Sequence, residues 1–289
     1  MQHEDFPLFD GHMHFSHAYL DDVLASYEEC GVRGGLNIWA PEFHDYHRFL
    51  ETCRERGLLE RFAQFYWPNW ARFGWQGEEF VRELCDDMDA YAAEGVTGLK
   101  IWKDIGMYNF NADGTPVVMD DERLNPVWEK VEKLGWSVAC HQADPSGGFM
   151  KRSRTRIPKE ELFERRNRVI ADHPDVVFSL CHSGNDIEDY ARFGELLDRF
   201  GNTVADLRWP ANFEHDPDEE RAFLEKYAHR LMIGPDLGMP QNRPPDRPWN
   251  LNEGYRPKRA SLLAYGLSDE AFENITWKTG ETYFLRGRS

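Results

Sequence analysis

Four histidines and one aspartate stand where short apolar segments of the sequence end. His12 and His14 close the first such segment, His141 and His182 close two later ones, and Asp236 closes the last. Imidazole nitrogens and a carboxylate oxygen suit a divalent transition metal such as Zn²⁺, Mn²⁺, Fe²⁺, Co²⁺ or Ni²⁺ without any thiolate. His12 and His14 are two residues apart, so on a strand both side chains leave the same face. The five residues therefore predict a metal site, provided that the fold brings the segment ends together.

The segments that carry these residues are rich in β-branched and aromatic side chains, which is typical of buried strands. They span residues 7–14, 34–39, 62–67, 97–103, 137–141, 176–182, 203–209 and 230–236. The stretches between them have helical periodicity and charged faces. Helices are predicted at 19–30, 43–56, 78–93, 121–134, 159–171, 186–200 and 217–227.

Eight alternating strands and helices, joined by right-handed crossovers, close into a parallel (β/α)8 TIM barrel. We expect one domain over residues 1–289, because no linker rich in Pro, Gly and Ser divides the chain. Long loops at 104–118, 143–158 and 237–257 would cover the face where the strands end. The alternative is an open sheet that binds a dinucleotide, but the sequence has no G-x-G-x-x-G after its first strand.

The composition excludes several classes of partner. A net charge of -17 disfavours nucleic acids and anionic membranes. Glu4 and Asp5 stand where a signal peptide would be basic, and no apolar run is long enough for a membrane helix. The five cysteines form no C-x-x-C pair, which argues against a zinc finger or a disulfide framework. We expect a soluble cytoplasmic protein, a homodimer, that acts on a small molecule.

The H-x-H pair, the single histidines after strands five and six and the aspartate after strand eight resemble the amidohydrolase superfamily, in particular its amidohydrolase-2 group. The resemblance extends through Gly98–Lys103, His141–Pro145 and a closing helix near 274–285. It implies that one ion, foremost zinc, binds the residues His12, His14, His141 and Asp236. It also implies that His182 stays outside this set as an acid, base or carbonyl polariser. Lys100 and Lys103 stand where binuclear relatives carry a group that bridges two ions, so the resemblance leaves open whether a second ion binds.

The resemblance implies a metal-dependent hydrolase that uses activated water on the carbonyl of an amide or lactone. Asp236 would take the proton of the water, and His182 would stabilise the developing charge. The first alternative keeps the site but makes the reaction a nonoxidative decarboxylation of a small organic acid. The second alternative is a noncatalytic barrel that binds a ligand.

Further residues at the strand ends are candidates for binding a carboxylated, aromatic or sugar-like substrate. These are Lys100, Arg208, Trp39, Trp102 and Asp144. Arg208 either reads the substrate or forms an ion pair with Asp206, which leaves strand seven on the same face. Asp144 either contacts a ligand or initiates the turn after His141, and the tryptophans either line the cavity or seal the barrel by packing.

Overall fold

Eight short parallel strands form one closed barrel in the computed structural model of the chain. The structure describes residues 6–15, 17, 20–39, 46–145, 150–207, 216–236 and 252–285. The strands are β1 (Leu8–Met13), β2 (Val32–Trp39), β3 (Phe62–Tyr66), β4 (Val96–Ile101), β5 (Ser137–Cys140), β6 (Phe178–Leu180), β7 (Thr203–Leu207) and β8 (Leu231–Ile233). They follow one another around the barrel in chain order, and β8 lies beside β1. The predicted (β/α)8 barrel is confirmed.

Helices connect the strands and continue beyond the last one. They are α1 (Leu20–Cys30), α2 (Tyr46–Glu55), α3 (Phe73–Gln76), α4 (Glu78–Ala93), α5 (Asn125–Leu134), α6 (Lys159–Asp172), α7 (Cys181–Gly184), α8 (Tyr190–Arg199), α9 (Pro217–Tyr227), α10 (Asn252–Ala264), α11 (Asp269–Glu273) and α12 (Thr279–Phe284). Turns of 3-10 helix lie at Trp70–Arg72, Glu122–Leu124, Met150–Arg152 and Ala228–Arg230. Turns of π-helix lie at Asp104–Tyr108 and Asn274–Lys278. Among the described helices, none combines the length and the apolar character needed to cross a membrane.

The strands are buried on both faces, as parallel strands covered by helices must be. Every residue of β1, β3 and β7 is buried. The register of β4 on β5 runs without interruption from Gly98 opposite Ser137 to Ile101 opposite Cys140. This regular pairing sets the ends of neighbouring strands at similar heights, and the side chains that follow them belong to one face of the barrel.

Side-chain capping explains where some helices begin. The Asp216 carboxylate accepts hydrogen bonds from the backbone of Asp218 and Glu219, and α9 begins at Pro217 as predicted. A helix from residue 186 was also predicted, but α8 begins only at Tyr190 because Asp189 caps it by accepting from the Arg192 backbone N–H at 2.9 Å.

The sixth strand is shorter than the predicted segment 176–182. It ends at Leu180, and the backbone then enters the single turn α7, in which His182 and Ser183 both have φ of 55°. A left-handed backbone cannot continue a strand, so His182 does not lie on β6.

Contacts within the chain group it into two compact units. The first is drawn from residues 1–39, 44–64 and 204–289, and it holds β1, β2, β8 and most of β3 and β7. The second is drawn from residues 40–43 and 65–203, and it holds β4, β5 and β6. Single-domain folding of residues 1–289 stays a prediction.

Candidate metal centre and active site

The first unit carries the H-x-H pair at the end of β1. His12 is 2% exposed and His14 is 20% exposed. Their ring centroids lie 5.1 Å apart, as the two-residue spacing on a strand predicts. Asp10, which is fully buried, accepts from the His12 backbone N–H at 2.9 Å and from the Tyr255 hydroxyl, so the end of β1 is held from below.

Each of these imidazoles is oriented through its Nδ1 atom. His12 Nδ1 lies 3.0 Å from the Asp206 carboxylate, and His14 Nδ1 lies 2.8 Å from the backbone carbonyl oxygen of Ile38. An oxygen of an ionised carboxylate or of a carbonyl can only accept, so both Nδ1 atoms carry the hydrogen. In a neutral ring with the hydrogen on Nδ1, the lone pair lies on Nε2. This is the arrangement by which proteins present histidine to a metal.

Asp236 completes this part of the site. Its Oδ1 atom lies 3.2 Å from His14 Nε2 and 3.6 Å from His12 Nε2. The residue has a positive φ of 53°, and its backbone N–H donates to the His12 carbonyl oxygen at 3.2 Å. A non-glycine residue rarely adopts this conformation, and such strain is typical of functional sites.

His12 Nε2, His14 Nε2 and Asp236 Oδ1 are spaced as the ligands of one divalent ion would be. Ligands that surround zinc tetrahedrally at about 2.0 to 2.2 Å are roughly 3.3 to 3.6 Å from each other. The observed separations of 3.2 and 3.6 Å agree with this spacing. Lone pairs on His12 Nε2 and His14 Nε2 would repel the Asp236 oxygen unless a cation or a proton lies between them. The three ligand atoms therefore fit a metal such as zinc.

Asp206 orients the His12 ring, a role that was not predicted from the sequence. It is fully buried on β7, and Gly234 makes room for it, since a Cβ atom at Gly234 would lie 2.5 Å from Asp206 Cβ. The only clue in the sequence was an acidic residue inside an apolar strand. Arg208, its other proposed partner, lies outside the described residues.

We expect Asp206→Asn to weaken metal binding by about 10- to 100-fold, because the amide no longer provides a charged acceptor for His12 Nδ1. Competition with a metal-sensitive dye measures the affinity. The control is Asp120→Asn, which changes a carboxylate that pairs with Arg165 and Arg168 elsewhere on the chain. Equal affinities of the wild type and Asp206→Asn would show that Asp206 does not orient a ligand.

The second unit carries a chain of polar contacts after β5. His141 Nε2 lies 3.0 Å from Asp144 Oδ1, and the Lys103 ammonium donates to Asp144 Oδ2 at 2.7 Å. Burial lowers the pKa of His141 to about 3, an effect that outweighs its hydrogen bond with Asp144. Burial raises the pKa of Asp144, but the hydrogen bonds from His141 and Lys103 outweigh it and lower the pKa to about 2. His141 is therefore neutral and Asp144 ionised at neutral pH.

The low pKa of His141 predicts a pH dependence of stability in metal-free protein. A buried neutral histidine stabilises the fold fully above its unfolded pKa of about 6.5 and loses this contribution as the pH falls toward its folded pKa of about 3. In this window the slope of the unfolding free energy should be shallower in His141→Gln, by at most about 1.4 kcal/mol per pH unit. Urea unfolding at pH 7, 6 and 5 measures it, and equal slopes would contradict a neutral buried His141.

His182 lies in α7 beside His141. The two rings are nearly perpendicular, with centroids 4.8 Å apart, and His182 is 7% exposed. Its left-handed backbone turns the side chain away from the direction it would take on a strand. The sequence anticipated the residue but not the turn.

Asn185 ties this turn to the segment that follows His141. Its side-chain Oδ1 accepts from the backbone N–H groups of Gln142 and Ala143 at 3.1 and 3.4 Å. Its own backbone N–H donates to the carbonyl oxygens of Cys181 and His182 at 3.1 and 3.0 Å. Asparagine tolerates the left-handed conformation, here with φ of 62°, which is the one sequence signal that would have indicated this role.

Lys100 on β4 and Lys103 just after it have different surroundings. Lys100 is 1% exposed, and its ammonium donates to Cys181 Sγ at 3.0 Å. Lys103 is 17% exposed and pairs with Asp144. Its ammonium also lies 5.6 Å from the centre of the Trp102 ring. Lys100 stays a predicted substrate residue, while Lys103 is the more accessible cation of the two.

The two predicted substrate-binding tryptophans also differ. Trp39 is 3% exposed and stacks on Tyr46 and Phe49 with centroids 5.7 and 5.2 Å away, which is a packing role. Trp102 is half-buried and lies against Trp67, with centroids 5.3 Å apart. An aromatic and cationic surface therefore follows β4.

Comparisons with known proteins agree with this geometry. A family model described as amidohydrolase matches residues 9–281. No curated protein matches the sequence. Among solved structures, an uncharacterised TIM-barrel protein of Bordetella bronchiseptica is similar with a TM-score of 0.61 and 14% identity, over 96% of this chain and 98% of that one.

Two other similar structures are named as enzymes. The 5-carboxyvanillate decarboxylase of Sphingomonas paucimobilis is similar with a TM-score of 0.58 and 14% identity, over 97% of this chain and 99% of that one. The dihydroorotase of Campylobacter jejuni is similar with a TM-score of 0.58 and 14% identity, over 98% of this chain and 85% of that one. At such identities the structures share the fold.

Proposed function

The chain belongs to the amidohydrolase family, and on this premise we propose that it is a metal-dependent hydrolase that adds water to the carbonyl of an amide or lactone. The observation that carries the proposal is the convergence of His12 Nε2 and His14 Nε2 on Asp236 Oδ1 at 3.6 and 3.2 Å. Both imidazoles have Nδ1 held by an oxygen acceptor, which directs Nε2 toward Asp236 Oδ1 and presents it as a ligand atom to an ion.

The proposed ligands are His12, His14, His141 and Asp236, with zinc as the first candidate and manganese, iron, cobalt or nickel as the others. Support for His141 comes from its place directly after β5, because the active sites of (β/α)8 barrels are built from residues at the carboxyl ends of the strands. Its neutral ring has the protonation state that metal ligation requires. When bound, a divalent ion supplies Lewis acidity, which polarises a carbonyl and makes a water molecule more acidic.

The protein side chains then handle protons and orientation. Asp236 is the base, because an ionised carboxylate at this position can take a proton from water and pass it to the leaving group. His182 donates a hydrogen bond to the substrate carbonyl as negative charge develops on the oxygen. Lys103 and Trp102, and with them the predicted residues Lys100, Arg208 and Asp144, bind the rest of the substrate, while Trp39, predicted as a further contact, packs against Tyr46 and Phe49 instead.

Decarboxylation of a small aromatic acid is the second candidate. The Lys103 ammonium and the Trp102 ring lie 5.6 Å apart, and this pair matches the carboxylate and the flat ring of such an acid. The same cation would also bind a carboxylate on a hydrolysable substrate. The ligand set is compatible with both reactions, so product analysis must distinguish them.

A substrate panel that records acid release and CO₂ in the same assay tests the proposal. Lactones, cyclic amides and aromatic acids are incubated with the metal-loaded protein, and with Asp236→Asn as the matched inactive variant. Hydrolysis predicts acid release without CO₂ from at least one lactone or amide, abolished in Asp236→Asn. Evolution of CO₂ from an aromatic acid, equally dependent on Asp236, would replace hydrolysis by the second candidate.

A further inference from the structure

A cavity of about 270 Å³ lies between α6 and α8, within the second unit and apart from the residues of the candidate metal centre. Its apolar lining comes from Phe163 on α6 and from Phe193, Leu196 and Phe200 on or next to α8. Arg166 also lines it, although this arginine is only 2% exposed. A buried guanidinium on an apolar cavity is costly unless an anion compensates it.

Arg166 makes only partial use of its donors. Its Nη1 donates to the Gly184 carbonyl oxygen at 2.9 Å, and its Nε donates to the Asn167 side chain at 3.2 Å. Within the described part of the chain, Nη2 makes no hydrogen bond and the guanidinium forms no ion pair with a carboxylate. The remaining donor is therefore available to a ligand in the cavity.

The neighbouring buried carboxylates form their ion pairs with cations other than Arg166. Lys159, Arg166 and Arg192 surround the Phe163 ring at 5.3, 4.4 and 5.6 Å from its centre. The buried Asp186, which also lines the cavity and acts electrostatically on Arg166, forms its ion pairs with Arg192 and Lys159. Glu188 pairs with Lys159, and Arg192 also approaches the exposed Glu160 and the half-exposed Asp189 at 3.8 and 3.9 Å.

Burial lowers the pKa of Arg166 to about 10, so the guanidinium is still charged at neutral pH. Among the described residues, no carboxylate forms an ion pair with this buried charge. Exposed glutamates, Glu160, Glu164 and Glu195, lie on the lining as well. They would repel a phosphate dianion more strongly than a singly charged group. At Arg166, a singly charged group joined to an apolar body therefore fits this lining better than a phosphate dianion does.

We propose that the cavity between α6 and α8 binds a small monocarboxylate, with its carboxylate on Arg166 and its apolar body against Phe163, Phe193 and Phe200. The bond from the carboxylate to Nη2 is charge-assisted, which makes it stronger than a neutral hydrogen bond. The proposal is independent of the reaction at the metal centre. It concerns a second site on the outside of the barrel.

Calorimetric titration with hexanoate, 1-hexanol and hexylamine tests the role of charge, because the three share one apolar body. Hexanoate is expected to bind with a Kd on the order of 1 mM, an affinity in keeping with its small size. Hexanol and hexylamine are expected to bind about tenfold more weakly or worse, because they lack the carboxylate. Equal binding of hexanoate and hexanol would overturn the proposal. So would the absence of hexanoate binding at about 10 mM.

Variants locate the site. Arg166→Met should weaken hexanoate binding by about tenfold or more, whereas Arg168→Met, which changes a partly exposed arginine on the same helix, should not. If Arg166→Met fails to fold, Leu196→Trp fills the cavity from its rim and should have the same effect. Lys103→Met should leave the Arg166-dependent binding of hexanoate unchanged. Loss of binding in Lys103→Met, with retention in the Arg166 or Leu196 variant, would assign the carboxylate to the candidate active site and overturn the proposal.

Discussion

Alanine at His12 or at His14 is expected to empty the metal site and to reduce turnover by at least about 10³-fold, the loss that follows when several kcal/mol of charge stabilisation disappear. Each substitution removes one Nε2 atom from the pair that faces Asp236 Oδ1. The donors that remain then no longer surround the ion with the geometry that it requires. Elemental analysis of the purified variants measures the metal, and steady-state kinetics measures turnover.

His47→Ala is the matched control, because His47 is an exposed histidine on α2. It should retain metal and activity at the wild-type level. Thermal unfolding of all three variants separates metal loss from global unfolding. Metal retention in folded His12→Ala and His14→Ala would remove the H-x-H pair from the ligand set.

Replacement of His182 by asparagine is expected to lower turnover by roughly 10² to 10⁴-fold while the metal content stays unchanged. Asparagine accepts the left-handed backbone that His182 adopts, so the turn α7 should persist. The amide keeps a polar group in place but cannot exchange a proton as an imidazole does. Loss of turnover without loss of metal is therefore the signature of a residue that acts on the substrate.

The matching control is His173→Asn, which alters a histidine paired with Glu132 at the end of α6, before β6 begins. Wild-type turnover is expected in this variant. A folded His182→Asn protein that lacks metal would make His182 a ligand. A variant that turns over at the wild-type rate would exclude it from catalysis.

Much of the barrel was predictable because its elements depend on local patterns. Apolar runs separated by amphipathic stretches identified all eight strands, and α4 and α9 have the predicted bounds. The pattern did not predict the turn at residues 181–184, where the run of buried residues continues but the backbone becomes left-handed. Burial periodicity reports which side chains are inside, and it carries no information on the sign of φ.

The candidate site was predictable only in part, for a related reason. His12, His14 and Asp236 could be found because ligand-type residues at strand ends are visible in sequence. Asp206 and Asn185 act through partners 194 and 43 residues away, and such pairings require the assembled fold. Lys100 and Lys103 could not be distinguished because their three-residue spacing does not reveal that one ammonium is buried against Cys181.

The metal content of the purified wild-type protein tests the central claim most directly. The protein is prepared without chelators or a metal-affinity tag and analysed by inductively coupled plasma mass spectrometry alongside His47→Ala. The arrangement of His12, His14 and Asp236 predicts about one divalent transition metal ion per chain, with zinc foremost. A chain without such an ion, which takes up none on dialysis against Zn²⁺, Mn²⁺, Fe²⁺, Co²⁺ or Ni²⁺, would mean that these histidines serve only as ion-pair partners of Asp236, and it would contradict the proposed function.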